Sequence, residues 1–115
     1  MRTIIAGSRT INDAFALEKA IELSGFAITK VICGGAQGAD RLGEKYAFSH
    51  DLPIQYFLPD WVNLGSAAGP IRNSEMANNA DALILVWDGK SRGSSDMLKK
   101  ATAKGLKIYS HVVMQ

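Results

Sequence analysis

The chain has 115 residues, 47% hydrophobic and 21% charged, and its 13 basic and 11 acidic residues leave a formal charge of +2 at pH 7. That composition lies near the globular average, so one self-sufficient domain over residues 1–115 is expected. The near balance of charge supplies no field for a polyanion, and nucleic acid is not expected as a partner. Its one cysteine, Cys33, excludes an intramolecular disulfide, no Cys/His spacing suits zinc, and no apolar run reaches the roughly 18 residues that would span a bilayer. A cytoplasmic protein is expected, with no membrane partner, no metal and no cofactor.

In chain order, residues 2–6 read as a strand that ends in the turn Gly7-Ser8-Arg9. Residues 11–24 read as a helix with Thr10 as N-cap, Ala14, Leu17 and Ile21 on its apolar face, and Gly25 as a left-handed stop. A strand at 30–33 runs into Gly34-Gly35-Ala36-Gln37-Gly38-Ala39-Asp40, followed by a helix over 39–50 and a strand over 54–58. Residues 59–69 form a longer loop containing Trp61 and Leu64, and long loops in small domains often serve function. A helix over 71–79, a strand over 82–87, a polar turn from Asp88, a helix over 95–104 ending at Gly105 and a strand over 107–112 complete the chain.

The strands are near-continuously apolar, as parallel strands covered on both faces must be. Alternation of strand and helix with right-handed crossovers predicts an α/β fold, a Rossmann-like three-layer sandwich with a five-stranded, mostly parallel sheet in the order 3-2-1-4-5. Every glycine turn named above follows a strand and precedes a helix, so all of them fall on the C-terminal edge of the sheet, where such folds bind ligands.

The chemistry expected there is anion binding. Gly7, Ser8 and Arg9 offer a turn, a hydroxyl and a guanidinium, and arginine suits bidentate phosphate contacts. Gly34, Gly35, Ala36 and Gly38 let backbone N–H groups approach phosphate oxygens, although their spacing matches neither standard nucleotide fingerprint. Asp40 could bind a ribose hydroxyl or cap its helix. Arg72 and Asn73 open the third helix, where a cation opposes the helix dipole and so needs an anionic partner, either a ligand phosphate or Glu75 or Asp60. Asp88, Gly93, Ser94 and Ser95 could hold a phosphate or sugar, while Asp96 and Asp88 are the carboxylates available to a glycosidic-bond enzyme. Trp87 is expected in the core. Trp61 is open to base stacking, and with Leu64 to either a homo-oligomer surface or a lid. Cys33 reads as a core residue, with a reactive thiol as the alternative.

These segments resemble the SLOG superfamily, which groups LOG phosphoribohydrolases, lysine-decarboxylase-like proteins, the DNA-processing Smf/DprA proteins and YpsA-related proteins, and most of all its small YspA-like, YpsA-related branch. The segments concerned are residues 5–9, 33–40, 68–76 and 91–95. The resemblance implies a Rossmann-like fold and a nucleotide-type small molecule held by the glycine turns, and SLOG domains in bacterial defence systems sense NAD-derived signals. LOG enzymes carry Arg-x-x-x-Met, a strand, then Pro-Gly-Gly-x-Gly-Thr-x-x-Glu. Arg72 and Met76 match the first part, but residues 87–97 lack the proline, insert two residues and place Met97 where those enzymes have a catalytic glutamate. Asp96, one position early, is rotated by about 100° around its helix. The leading expectation is therefore binding of a nucleotide or an NAD- or ADP-ribose-derived ligand, with nucleotide N-glycosidase activity and a DNA-associated Smf/DprA-like role as alternatives.

Overall fold

Alternate residues of the central strands face opposite sides of the sheet, and both sides are apolar, so the sheet needs a cover on each. In a computed structural model that describes residues 1–35 and 38–113, helices supply both covers. The strands are β1 (Arg2–Gly7), β2 (Lys30–Cys33), β3 (Ile54–Tyr56), β4 (Ala82–Trp87) and β5 (Lys107–Val112). The helices are α1 (Ala14–Ser24), α2 (Ala39–Ser49), α3 (Trp61–Leu64), α4 (Ala68–Asn78) and α5 (Arg92–Ala103), with a 3-10 turn over Gly65–Ala67 between α3 and α4. The sheet order is β3-β2-β1-β4-β5, as expected, and every pairing is parallel. This is the Rossmann-like arrangement.

Ile5, Val31, Ile84 and Val86 face α1 and α2 and pack against Leu17, Ala20, Ala39 and Ala47. Ile4, Ile32, Leu83 and Leu85 face α4 and α5, where Met76, Ala77, Met97 and Ala101 meet them. Each fully buried Ile or Leu contributes about 1.5–3 kcal/mol by leaving water, so the middle strands carry most of the stability. Helices on one face follow β1 and β2 and those on the other follow β3 and β4. The winding therefore reverses between β1 and β4, and their C-terminal ends diverge into loops that leave a crevice.

Several boundaries differ from the sequence expectation for identifiable reasons. α1 begins at Ala14, because Asp13 rather than Thr10 caps it and accepts bonds from the N–H groups of Phe15 and Ala16. Ala14 is exposed, and the buried face is Ala16, Leu17 and Ala20. The C-terminal stop stands: Gly25 is left-handed, with φ 69° and ψ 10°. β3 stops at Tyr56 instead of residue 58 because β2 ends at Cys33, whose carbonyl takes one last bond from the Phe57 N–H at 3.0 Å. α4 starts at Ala68, absorbing the end of the supposed loop, and α5 starts at Arg92. Among the described residues no helix is long and apolar enough to cross a membrane.

At the N-terminal edge, Asp81 accepts bonds from the backbone N–H of Arg2 at 2.8 Å and from its guanidinium at 3.1 and 3.2 Å. These donors hold the Asp81 carboxyl at a pKa of about 2, below its ordinary 3.8. A depressed carboxylate pKa stabilises the fold above the unfolded-state value and loses that contribution as pH falls towards the folded-state value. Denaturant midpoints measured across acid pH should therefore drop for the wild type between about pH 4 and about pH 2, and Asp81→Asn should flatten that segment of the curve.

Candidate functional site

Where β1 and β4 diverge, Ser8 joins the loops. Its N–H donates to the Val86 carbonyl at 3.2 Å, and its own carbonyl accepts from Ile11 at 3.2 Å and Ala39 at 3.3 Å. Its hydroxyl accepts from the Asp88 N–H at 3.0 Å and donates to the Ser91 hydroxyl at 3.3 Å. Gly38 fits closely beneath this knot: it has φ +76°, and a Cβ there would collide with the carbonyls of Ser8 and Arg9. Ser8 is thus a buried structural hub, its polar groups occupied by the protein itself.

The loops enclose a cleft of about 1090 Å³. Of the residues expected to bind a ligand, Gly7, Ser8, Arg9, Gly34, Gly35, Asp40, Arg72, Asn73, Asp88, Gly93 and Ser94 line it, and Asp96 lies there too. Gly38 and Ser95 are not in the lining: Gly38 sits under the loops, and Ser95 is on the first turn of α5. Ala36, also expected in the site, and Gln37 lie outside the described residues.

A chain of hydrogen bonds crosses the cleft floor. Asp40 accepts from the Gly34 N–H at 3.2 Å, and the Gly34 carbonyl accepts from Arg72 Nη1 at 2.8 Å. Arg72 Nε donates to Asn73 Oδ1 at 3.0 Å, Asn73 Nδ2 donates to Asp96 at 2.9 Å, and Asp96 is ion-paired with Lys100 at 2.8 Å. A Cβ on Gly34 would collide with the Arg72 guanidinium, so the glycine is needed for this approach. Arg72 sits on the second turn of α4 rather than at its start; burial and the nearby Arg9 charge lower its pKa, and Asp40 opposes them.

The three carboxylates of the cleft are committed inward. Asp40 is 5% exposed and holds Gly34. Asp88 accepts from the N–H groups of Lys90 at 2.8 Å and Ser91 at 2.9 Å, and these bonds hold its carboxyl below the usual range. Asp96 is tied to Lys100 and Asn73. Asp88 is therefore anionic and unsuited to donating a proton, and Asp96 is held as half of an ion pair. The cations are less occupied: Arg9 and Arg92 have no ion-pair partner among the described residues, and Arg72 has used only part of its five-donor fork.

The helix N-termini add to this polarity. α1, whose start is outside the lining, is capped by a side chain, whereas α2, α4 and α5 have no side-chain cap. Ser91 occupies the N-cap position of α5, but its hydroxyl is bonded to Ser8. First-turn N–H groups and the positive dipole end of α5 thus border the cleft. The arrangement favours an anion with several oxygen acceptors.

Arg92 is not among the residues the sequence marks for the site, although it stands inside the Ser91-Arg92-Gly93 turn; recognising it requires knowing that α5 begins there. Trp61 lies on α3 at the rim, 52% exposed, with its ring 3.4 Å from where a Gly69 Cβ would be. Trp87 packs partly against the core, and its indole N–H donates to Ser110 at 2.9 Å. Cys33 is buried at the end of β2, and burial pushes its thiol up to about 11.

No protein-family model matches the chain. The chain is 29% identical over 121 residues to the Gene 61 protein of Mycobacterium phage D29, covering 95% of this chain and 94% of that one. In structure it is similar to DNA processing protein A (DprA) from Streptococcus pneumoniae, with a TM-score of 0.75 and 18% identity over 95% of this chain. It spans 49% of that protein, about half its length, and the likeness is one of fold: the Rossmann-like α/β architecture. The expectation set against nucleic acid is corrected by this neighbour, whose name is that of a DNA-processing protein. The physical reason is that a net charge of +2 hides where the charges go: arginines from three separate segments meet in one cleft.

The reactive-thiol alternative for Cys33 meets a buried, protonated sulfur. An aromatic disulfide reagent near neutral pH should leave the native protein unmodified and titrate one thiol after denaturation; rapid native labelling would show that the strand end opens.

Proposed function

We propose that this protein is DNA-associated, a Smf/DprA-like module whose cleft holds phosphate groups of a nucleic-acid strand. One observation carries the reading: the cleft's carboxylates are spent on the protein's own N–H and ammonium groups, while Arg9, Arg92 and the outer part of Arg72 keep donors for an incoming anion. The α5 N-terminus supplies further N–H donors alongside them. The fold shared with DprA supports the choice of nucleic acid as the bearer of those phosphates. The proposal includes a single domain over residues 1–115 acting in the cytoplasm, and kinship with the YpsA-related branch through the segments around Arg9, Gly34, Arg72 and Gly93.

A second reading, a free nucleotide or an NAD- or ADP-ribose-derived ligand, is favoured by the concavity of the site, since about 1090 Å³ is ample for one such molecule. The N-glycosidase alternative has less behind it, because the carboxylate nearest the required position, Asp96, is paired with Lys100.

Fluorescence anisotropy with a labelled oligothymidylate of about 20 nucleotides distinguishes these readings. Binding is expected to weaken as salt rises, with a log–log slope of about −2 if three arginines each neutralise one phosphate of a single strand. Arg9→Ala and Arg92→Ala should each weaken binding and reduce the slope by about 0.7. No anisotropy change at low salt, with calorimetric binding of ADP-ribose or a nucleoside monophosphate, would establish the second reading instead. Free base released from the monophosphate would establish the hydrolase.

A further inference from the structure

The geometry points to Lys100 as a positioning residue that sets the phosphate-facing guanidinium of Arg72 from outside the cleft, an inference that deepens the proposed function and rests on it. Lys100 lies on the third turn of α5 and is not part of the cleft lining. Its ammonium donates to both oxygens of Asp96, at 2.9 and 2.8 Å, and to the Pro70 carbonyl at 2.7 Å, joining α5 to the first turn of α4.

Direction is imposed link by link. Asp96 can only accept, so it draws the Nδ2 end of the Asn73 amide, which also donates to the Gly93 carbonyl at 3.3 Å. With Nδ2 turned that way, Oδ1 faces Arg72 and accepts from Nε at 3.0 Å. Nε and Nη1 are then both anchored, the latter on the Gly34 carbonyl, which leaves the plane of the guanidinium no freedom and aims its remaining donors. Asn73 is 4% exposed, so its amide cannot exchange these bonds for water. Lys100 also neutralises a carboxylate that lines the cleft; without it Asp96 would repel phosphate and lose the restraint that orients Asn73.

The test uses the same labelled oligothymidylate with Lys100→Met, Lys100→Arg, Asp96→Asn and the Asp96→Asn/Lys100→Met double variant. Lys100→Met should weaken binding about tenfold through the uncompensated charge, and Lys100→Arg should retain it. The double variant should recover most of the loss, because the amide introduced by Asp96→Asn still offers Asn73 a carbonyl acceptor and no longer needs a counterion. A ligand-free readout accompanies it: the Arg72 Nε–H resonance should be protected from solvent exchange in the wild type, lose protection in Lys100→Met and regain it in the double variant. Wild-type affinity and Arg72 protection in Lys100→Met would overturn the inference. So would a double variant as weak as Lys100→Met. Should the wild type bind no oligonucleotide, the proposed function falls, while Arg72 protection still decides whether Lys100 positions the guanidinium.

Discussion

The parallel pairing of β1 with β4 is the constraint on which the rest of the structure depends. It places strands about eighty residues apart in the chain side by side, with Ile5 opposite Ile84 and Gly7 opposite Val86, and makes the winding of the sheet reverse at that seam. Helices leaving the two strands go to opposite faces, so the strand ends cannot be bridged by a direct connection and a crevice opens between their loops. Ser8 closes the floor of that crevice by bonding to residues before α1, at the start of α2 and before α5. A residue that reads from the sequence as a ligand contact also keeps the loops of the cleft in register with one another.

Charge in the cleft is arranged by a similar division of labour. Carboxylates and cations are both present, and a tally of them predicts little. Hydrogen bonding separates them: backbone N–H groups take up Asp40 and Asp88, and Lys100 takes up Asp96. What remains towards the opening is guanidinium and helix-terminal N–H, polarised for an anion. Such an internal commitment of acids is invisible to net charge, which is why a formal +2 does not describe the polarity of the cleft.

The helix starts show the same contrast locally. Asp13 competes with Thr10 for the first cap and wins because its carboxylate reaches the N–H groups of both Phe15 and Ala16. At α4 the Gly-Pro pair reads as an opening signal, yet the helix begins earlier; Pro70 is tolerated there because a third helical residue has no intrahelical N–H bond to lose. At α5, Arg92, Gly93 and Ser94 read as part of the turn but are wound into the first turn of the helix, where the packing of Met97 and Ala101 against β4 holds them helical.

The sheet follows from the order of amino acids alone. Apolar runs long enough for strands, separated by helical segments and punctuated by glycine, admit little besides a parallel α/β sandwich, and the location of the glycine turns at its C-terminal edge follows from connectivity. The residues of the cleft are legible for the same reason, since most of them lie in turns that follow a strand. Their roles emerge only once the chain is folded. Whether Ser8 binds or braces depends on the distant Val86, Asp88 and Ser91, and whether Asp96 is a base or half of an ion pair depends on Lys100 one helical turn away. Hydrogen bonding and electrostatics act over a few ångströms between residues that can be far apart in sequence, so their outcome is not fixed until folding brings the partners together.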